Sequence, residues 1–234
     1  MLFISDPAHV AVLIITFSLP FLLAYWGRKQ EKARALIPWI LASILLLNKI
    51  VVFTYACVQD AVPWSQRLPM QLCDWVTFIT AAALIWGQKY RLLKELAYFW
   101  GLAGTLQATL TPDLPYSFPH FYFFTFHISH SGIIISVLYL VFGMGLRPTF
   151  RSVLRSFLWI QTYGISAGLT NWLLNENYGY LCRKPLNPSL LDYLGEWPWY
   201  ILSLEVLAFL FFVLYWLPFL IWKHLGQSGI KESG

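Results

Sequence analysis

Cys73 and Asp74 stand side by side in the stretch MQLCDW, residues 70–75, and His127 and His130 stand three positions apart in HISH. A thiol, a carboxylate and imidazoles are the raw material of nucleophilic acyl chemistry. Cysteine attacks as the thiolate, and it needs a neighbouring base or positive charge to become one. A spacing of three puts His127 and His130 on neighbouring positions of one helical face, so either could be the base. Asp74 cannot point the same way as Cys73, because adjacent helical residues diverge by roughly 100°. The expectation for it is to pair with a cation or to cap a helix N-terminus, where negative charge is favoured.

The elements that must position these groups are membrane-spanning helices. Of 234 residues, 58% are hydrophobic, 18% are aromatic and only 12% are charged, about half the charged share of a soluble domain. Apolar runs of about 20 residues, enough to cross a hydrocarbon core, can be drawn at 8–26, 35–56, 69–86, 92–110, 118–143, 150–174 and 198–222. They predict an all-α polytopic membrane protein, a seven-transmembrane-helix bundle filling residues 1–234 as one domain. The first run lacks the basic flank and small-residue cleavage site of a signal peptide, and reads as a retained helix.

Orientation follows from where Lys and Arg fall in the short loops. Arg28, Lys29, Lys32 and Arg34, then Lys89, Arg91 and Lys94, then Arg147, Arg151 and Arg155, and finally Lys223 and Lys231 occupy alternate connections. The opposite loops hold Arg67, Arg183 and Lys184, offset by Asp60, Asp113, Glu176, Asp192 and Glu196. The N-terminus is therefore expected outside and the C-terminus in the cytoplasm. The net charge of +5 reads as a topology signal, which argues against a nucleic-acid partner. Cys57, Cys73 and Cys182 all fall in the outward half, where a Cys57–Cys182 disulfide is conceivable within the distance limits of such a bond. Their spacing is not that of a metal site, and no cofactor motif is present.

Depth can be counted at about 1.5 Å per residue. Lys49 lies about 13 residues from Leu36 and Cys73 about 13 from Trp86, so the two share a level. Thr105 and Gln107, then His130, then Gln161 and Tyr163 reach nearly the same height on later spans. This polar layer sits about 20 Å above the inner boundary of a core about 30 Å thick. Ionisable residues in a membrane are expensive and face the bundle interior or water. Singly, each has a bland explanation: a buried thiol acts as a small hydrophobe, a histidine bonds a carbonyl, and Lys49 snorkels. Lys49, Cys73, Asp74, His127, His130 and Glu205 together are harder to explain so, because each would need separate satisfaction where no water is present.

The outward loops add polar candidates. Asp113, Asn171 and Asn177 could orient a histidine or build an oxyanion site, and Lys49, Arg67, Arg183 or Lys184 could hold a phosphate. In the long loop from Asn175 to Tyr200, Trp197, Trp199 and Tyr200 fit an interfacial aromatic belt. Pro119 suits the first turn of the fifth span. There is no G-x-S-x-G elbow, H-E-x-x-H helix, phosphate-binding glycine loop or dinucleotide fingerprint.

LPMQLCDW, LQATLTPDL, FPHFYFFTFHISH, NWLLNENYGYL and LLDYLGEWPWY, in that order over most of the chain, together resemble the YwaF-like bacterial integral membrane proteins. The architecture is similar to that of eukaryotic transmembrane protein 164, a lipid acyltransferase, and more distantly to the androgen-induced-gene membrane hydrolases, which use Thr and His. The resemblance implies a multi-pass enzyme of the bacterial cytoplasmic membrane acting on acyl lipids. The acyltransferase's catalytic Cys would correspond to Cys73 and its His best to His130, with His127 a second candidate.

The function expected is acyl transfer or hydrolysis on a lipid ester, through an acyl-thioester on Cys73 that passes to a lysophospholipid or water. Two readings compete with it. One is a transporter or receptor for a small anionic ligand, although no paired Gly/Pro-broken helices are evident. The other is a non-catalytic assembly protein. A retinal-type pigment would need its Schiff base on Lys49 and is weaker still.

Overall fold

Asp6 caps the first helix of the computed structural model, which describes residues 6–59, 63–185 and 190–231. Asp60, one of the loop acids, and residues 186–189 of the long loop lie outside these. The Asp6 carboxylate accepts from the Ala8 amide at 2.9 Å, and Pro7 fills the first turn, where its missing N–H is not needed. From there the described residues form seven α-helices and no strand: α1 (Pro7–Lys29), α2 (Glu31–Val58), α3 (Leu72–Trp86), α4 (Arg91–Leu110), α5 (Phe121–Phe142), α6 (Phe150–Leu174) and α7 (Trp199–Lys231). Their bounds follow the seven apolar runs closely. Five segments, α1, α2, the stretch from Trp64 to the end of α3, α5, and α7 as far as Lys223, are long and apolar enough to cross a membrane. α4 and α6 do not reach that mark, since Arg91, Lys94 and Glu95 open one and Arg151 and Arg155 open the other.

Helix ends are set by identifiable groups. Gln30 alone, in extended conformation, separates α1 from α2. Thr149 and Ser152 form a reciprocal capping box at the start of α6. Asn175 ends that helix in the left-handed conformation at φ 55°. α5 begins two residues after Pro119, because His120 is its N-cap and accepts from the Tyr122 amide at 3.2 Å.

α4 and α5 are the inner helices. α5 packs against α1, α2, α3 and α4, and α4 packs against α3, α5, α6 and α7. Phe99 and Trp100 of α4 and Ile133, Ile134, Val137, Tyr139 and Leu140 of α5 are buried. Two glycines permit close approach of the backbones, as small residues do in membrane bundles. A Cβ on Gly101 would meet Val137 at 3.0 Å, and one on Gly132 would meet Leu45 at 3.0 Å. The second contact pulls α2 onto α5 one turn from Lys49 and two residues from His130. Asn48 locks that register, its side-chain amide donating to the Thr125 carbonyl at 3.0 Å across the buried interface.

At the far end of the bundle Glu95 is fully buried and neutralised. It accepts from Arg91 at 2.8 Å, Ser152 at 2.8 Å and Arg155 at 2.9 Å. The cluster ties α4 to α6 where the basic residues gather.

Candidate functional site

α3 starts at Leu72, so Cys73 is its second residue and Asp74 its third. Asp74 fills both roles open to it. One carboxylate oxygen accepts from the Gln71 amide at 3.1 Å, closing the first turn, and the other takes the Lys49 ammonium of α2. The pair is largely withdrawn from solvent, with side-chain exposures of 22% for Lys49 and 8% for Asp74. Cys73 turns to another side. It is half-buried and free, as are the exposed Cys57 and Cys182, so no Cys57–Cys182 disulfide is formed. Its sulfur lies within electrostatic reach of Lys49 and Asp74, of Tyr163 on α6, and of Tyr180 in the α6–α7 loop.

His130 shares two of these neighbours, with Lys49 and Asp74 in electrostatic reach. Its Nδ1 lies 3.0 Å from the Phe126 carbonyl, and its ring stacks on Phe126 at 4.1 Å. A carbonyl only accepts, so Nδ1 carries the proton and Nε2 of the neutral ring keeps its lone pair. His127, one turn away, has a different environment. It is buried against Phe123 at 4.5 Å and faces His9 of α1 at 5.6 Å, with no hydrogen-bond partner for its Nδ1. The two histidines therefore belong to two surroundings, His130 to the α2–α3 side and His127 to the α1 side.

The loop after α6 folds back over the start of α3. Asn171 is 3% exposed and spans Tyr178, donating to its carbonyl at 2.9 Å and accepting from its amide at 2.6 Å. Asn177 accepts from the amides of Cys182 and Arg183 at 3.0 and 3.1 Å and donates to the Arg183 carbonyl at 2.8 Å. Both side-chain amides are thus occupied in shaping this loop. Tyr178 donates to the Ser65 carbonyl, Ser65 donates to Glu176 at 2.6 Å, and the Gly179 amide donates to the Gln71 side chain at 3.3 Å. Gly179 and Tyr180 are consecutive left-handed residues, with φ of 64° and 56°. The Tyr200 hydroxyl holds the second of them by donating to the Tyr180 carbonyl.

The remaining candidates are more peripheral. Asp113 is exposed in the α4–α5 connection, within electrostatic reach of Tyr180, and together with burial it pushes that phenol above its usual range. Gln107 is exposed on the last turn of α4, where its carbonyl accepts from Thr111. Arg183 is exposed, and Lys184 lies over the Tyr200 ring at 5.7 Å. Glu205 accepts from Gln161 at 2.7 Å, joining α6 to α7.

A cavity of about 510 Å³ lies beside the ion pair, lined by Lys49, Asp74, Arg67 and Gln71 at its polar end and by Phe53 and Phe78 among mostly apolar walls. Cys73 does not line it, although Gln71 and Asp74 on either side do. A second cavity, of about 580 Å³, sits between the first turns of α2, the end of α3 and the α5–α6 turn, around Arg34, Trp39, Leu84 and Gln88. Neither lining holds a thiol or an imidazole among the described residues, but the first cavity reaches the opening turn of α3 through Gln71 and Asp74, on either side of Cys73.

Sequence reasoning passed over two contributors and placed a third without a role. Asn48 was hidden beside the charged Lys49. The Phe126 carbonyl that orients His130 is a backbone group, for which only the i−4 spacing could have given a sign. Tyr163 entered as one of a polar layer, whereas the structure buries its hydroxyl beside Cys73.

A family model described as the TMEM164 family matches residues 3–216. No curated protein and no solved structure matches the chain. The match covers nearly the whole bundle, and the chain belongs to the TMEM164 family. With its apolar helices, it is a multi-pass integral membrane protein.

Proposed function

We propose that this TMEM164-family chain is a membrane-embedded acyltransferase or acyl-lipid hydrolase in which Cys73 is the nucleophile and His130 the base. In this reading all seven helices span the bilayer of a bacterial cytoplasmic membrane, N-terminus outside, with α4 burying Lys94, Glu95 and Thr105 and α6 burying Ser152, Ser156 and Tyr163. The observation that carries it is the fixed tautomer of His130. Phe126 holds Nδ1–H, which leaves Nε2 as acceptor at the end of the bundle where Cys73 opens α3, with the Lys49–Asp74 pair in reach of both. Thiol catalysis needs a nucleophile, a base and a group that orients the base, and this reading requires Nε2 of His130 to come within hydrogen-bond reach of the Cys73 sulfur.

The cavity beside Lys49 supports a lipid substrate. Its apolar walls suit acyl chain, and it opens between α2 and α3, where Ile50, Phe53 and Phe78 are exposed to surrounding lipid. An ammonium has three donors. Asp74 takes one, and the others can meet a phosphate. Sulfur attacks the ester carbonyl, His130 receives the thiol proton and returns it to the leaving oxygen, and the thioester passes its acyl group to a lysolipid hydroxyl or to water.

The test pairs Cys73→Ala with His130→Ala in purified protein, reading a thiol-directed activity probe and turnover of labelled phospholipid. Loss of labelling and turnover in Cys73→Ala, with slow labelling in His130→Ala, is expected. Undiminished turnover in Cys73→Ala rejects the reading. The rival, a transporter or receptor for an anionic solute, draws on the same intramembrane Lys49–Asp74 pair. It predicts proteoliposome uptake that survives loss of Cys73.

A further inference from the structure

Tyr163 is unexplained by packing alone. It lies on α6, 6% exposed, and its buried hydroxyl has no acceptor for its proton, while the Leu72 amide at the opening of α3 approaches its oxygen. Buried polar groups in native proteins are nearly always paired, and each exception calls for a reason. The ring is fixed edge-on to Trp75 of α3 at 5.5 Å and 74°. On the other side the hydroxyl abuts Gly179 so closely that a Cβ there would come within 2.7 Å of it, and the left-handed φ of 64° reserves that position for glycine. Between these two constraints the O–H is held beside the first turn of α3, next to Leu72 and within electrostatic reach of Cys73. The fold has placed a rigid, unengaged donor next to the nucleophile, in surroundings that exclude water.

Building on the acyl-transfer reading above, we propose that the Tyr163 hydroxyl is the oxyanion donor of the Cys73 site. A donor of this kind stabilises charge only as it develops, and needs no reorganisation when it does. The sulfur of Cys73 bonds to the ester carbonyl carbon while its proton passes to Nε2 of His130. The carbonyl π pair moves onto oxygen, and that oxygen accepts a hydrogen bond from Tyr163. Collapse restores the C=O bond, breaks the bond to the leaving alkoxide oxygen, and delivers the His130 proton to that oxygen. The Tyr163 proton stays on its own oxygen throughout. The products are the Cys73 thioester and a lysolipid alcohol, and the acceptor's hydroxyl reverses the same steps.

The experiment compares Tyr163→Phe with wild type and Cys73→Ala, reading kcat and KM for acyl transfer, thiol-probe labelling of Cys73, and the unfolding midpoint in detergent. Tyr163→Phe is expected to lose about 10²–10³-fold in kcat, the usual effect of deleting one oxyanion donor. KM and probe labelling stay near wild type, since neither forms the oxyanion. The midpoint stays close to wild type, because the deleted O–H donates to nothing in the folded protein and only the Leu72 amide, at a helix end, loses its neighbour. Replacing Tyr163 by 4-aminophenylalanine, which restores a donor in place, should recover turnover. Wild-type kcat in Tyr163→Phe beside an inactive Cys73→Ala overturns the oxyanion assignment alone. So does a rate loss matched by a lower midpoint and lost labelling, the mark of a structural role. Full turnover in Cys73→Ala removes the acyl-transfer reading itself, and this proposal with it.

Discussion

The Lys49 ammonium and the Asp74 carboxylate join α2 to α3, and the same carboxylate closes the first turn of α3 through the Gln71 amide. One side chain thus fixes both the partner helix and the starting point of the helix that carries Cys73. Removing one member of such a pair strands a charge where the other was compensated, which typically costs about 3–5 kcal/mol. The two halves are not equivalent. Lys49 retains a long stem and 22% exposure, so alone it can snorkel, whereas Asp74 at 8% cannot. Lys49→Met is therefore expected to lower the unfolding midpoint more than Asp74→Asn, and the double replacement to recover part of the loss. Thermal unfolding of the three variants in detergent checks the order, and equal effects from the two single replacements would refute this account.

Gly132 brings α5 onto α2. Its absent Cβ leaves Leu45 where a methyl would stand at 3.0 Å. Gly132→Val overpacks this contact and should destabilise by about 1–3 kcal/mol, carrying Lys49 away from His130 as α2 is pushed out. Leu45→Ala in the same chain should restore much of the stability by vacating the space. If Gly132→Val unfolds at the wild-type temperature and Leu45→Ala does not couple to it, the close approach is not what sets this interface.

Counting along helices recovers height but not direction. Lys49 and Cys73 were expected on one level, and that level does hold an ion pair, but with Asp74, the neighbour of Cys73. A helix turns roughly 100° per residue, so one step along the chain exchanges the α2 side for the α6 side, and only packing decides which residue faces which. The helix bounds were legible because apolar runs and caps are local. The environments of His127 and His130 were not, since three residues apart on one helix left the ring of His9 and the carbonyl of Phe126 to distinguish them. The loop over α3 was unreadable for the same reason. Asn171 and Asn177 looked like spare donors, and their partners are backbone groups that only the folded loop supplies.

Glu95 is the most deeply buried charge among the described residues, at 0% exposure, with Arg91, Arg155 and Ser152 gathered on it. It lies at the opposite end from Cys73, so its part is structural. Glu95→Gln removes the charge that both arginines meet, and because those arginines are half exposed the loss should be about 1.5–3 kcal/mol, that of a hydrogen bond to a charged group. The protein that remains folded at low temperature should label at Cys73 as wild type does. A stable Glu95→Gln protein that no longer labels would show the two ends to be coupled, contrary to this separation.

Tyr178 ties the covering loop to the turn before α3 by donating to the Ser65 carbonyl. Burial, with Glu176 nearby, raises its phenol above the ordinary range. The sign follows from the protonated form being favoured in the folded loop. Its contribution is fully present below the ordinary tyrosine value of about 10 and is lost as pH rises through the folded value. Amide exchange in residues 178–181 should therefore accelerate beyond the intrinsic base dependence above about pH 10, and Tyr178→Phe should show faster exchange already at neutral pH with no such alkaline step. An unchanged exchange rate in Tyr178→Phe would mean the contact does not hold the loop.

Asn171 holds the same loop from inside the bundle, using one amide group in two directions on Tyr178. Asn171→Ala removes both bonds and leaves a buried carbonyl and a buried amide without partners. That penalty runs at about 1–3 kcal/mol for each group left unsatisfied. Asn171→Asp keeps an acceptor for the Tyr178 amide but loses the donor and buries a charge, so it should do no better than alanine despite its near-identical shape. If the loop is a cover over Cys73, both variants should also make the thiol react faster with a bulky, water-soluble maleimide, while a small membrane-permeant reagent reacts at the wild-type rate. Faster reaction with both reagents would point to general loosening of the bundle. No change with either would show that Cys73 is reached by a route the loop does not guard.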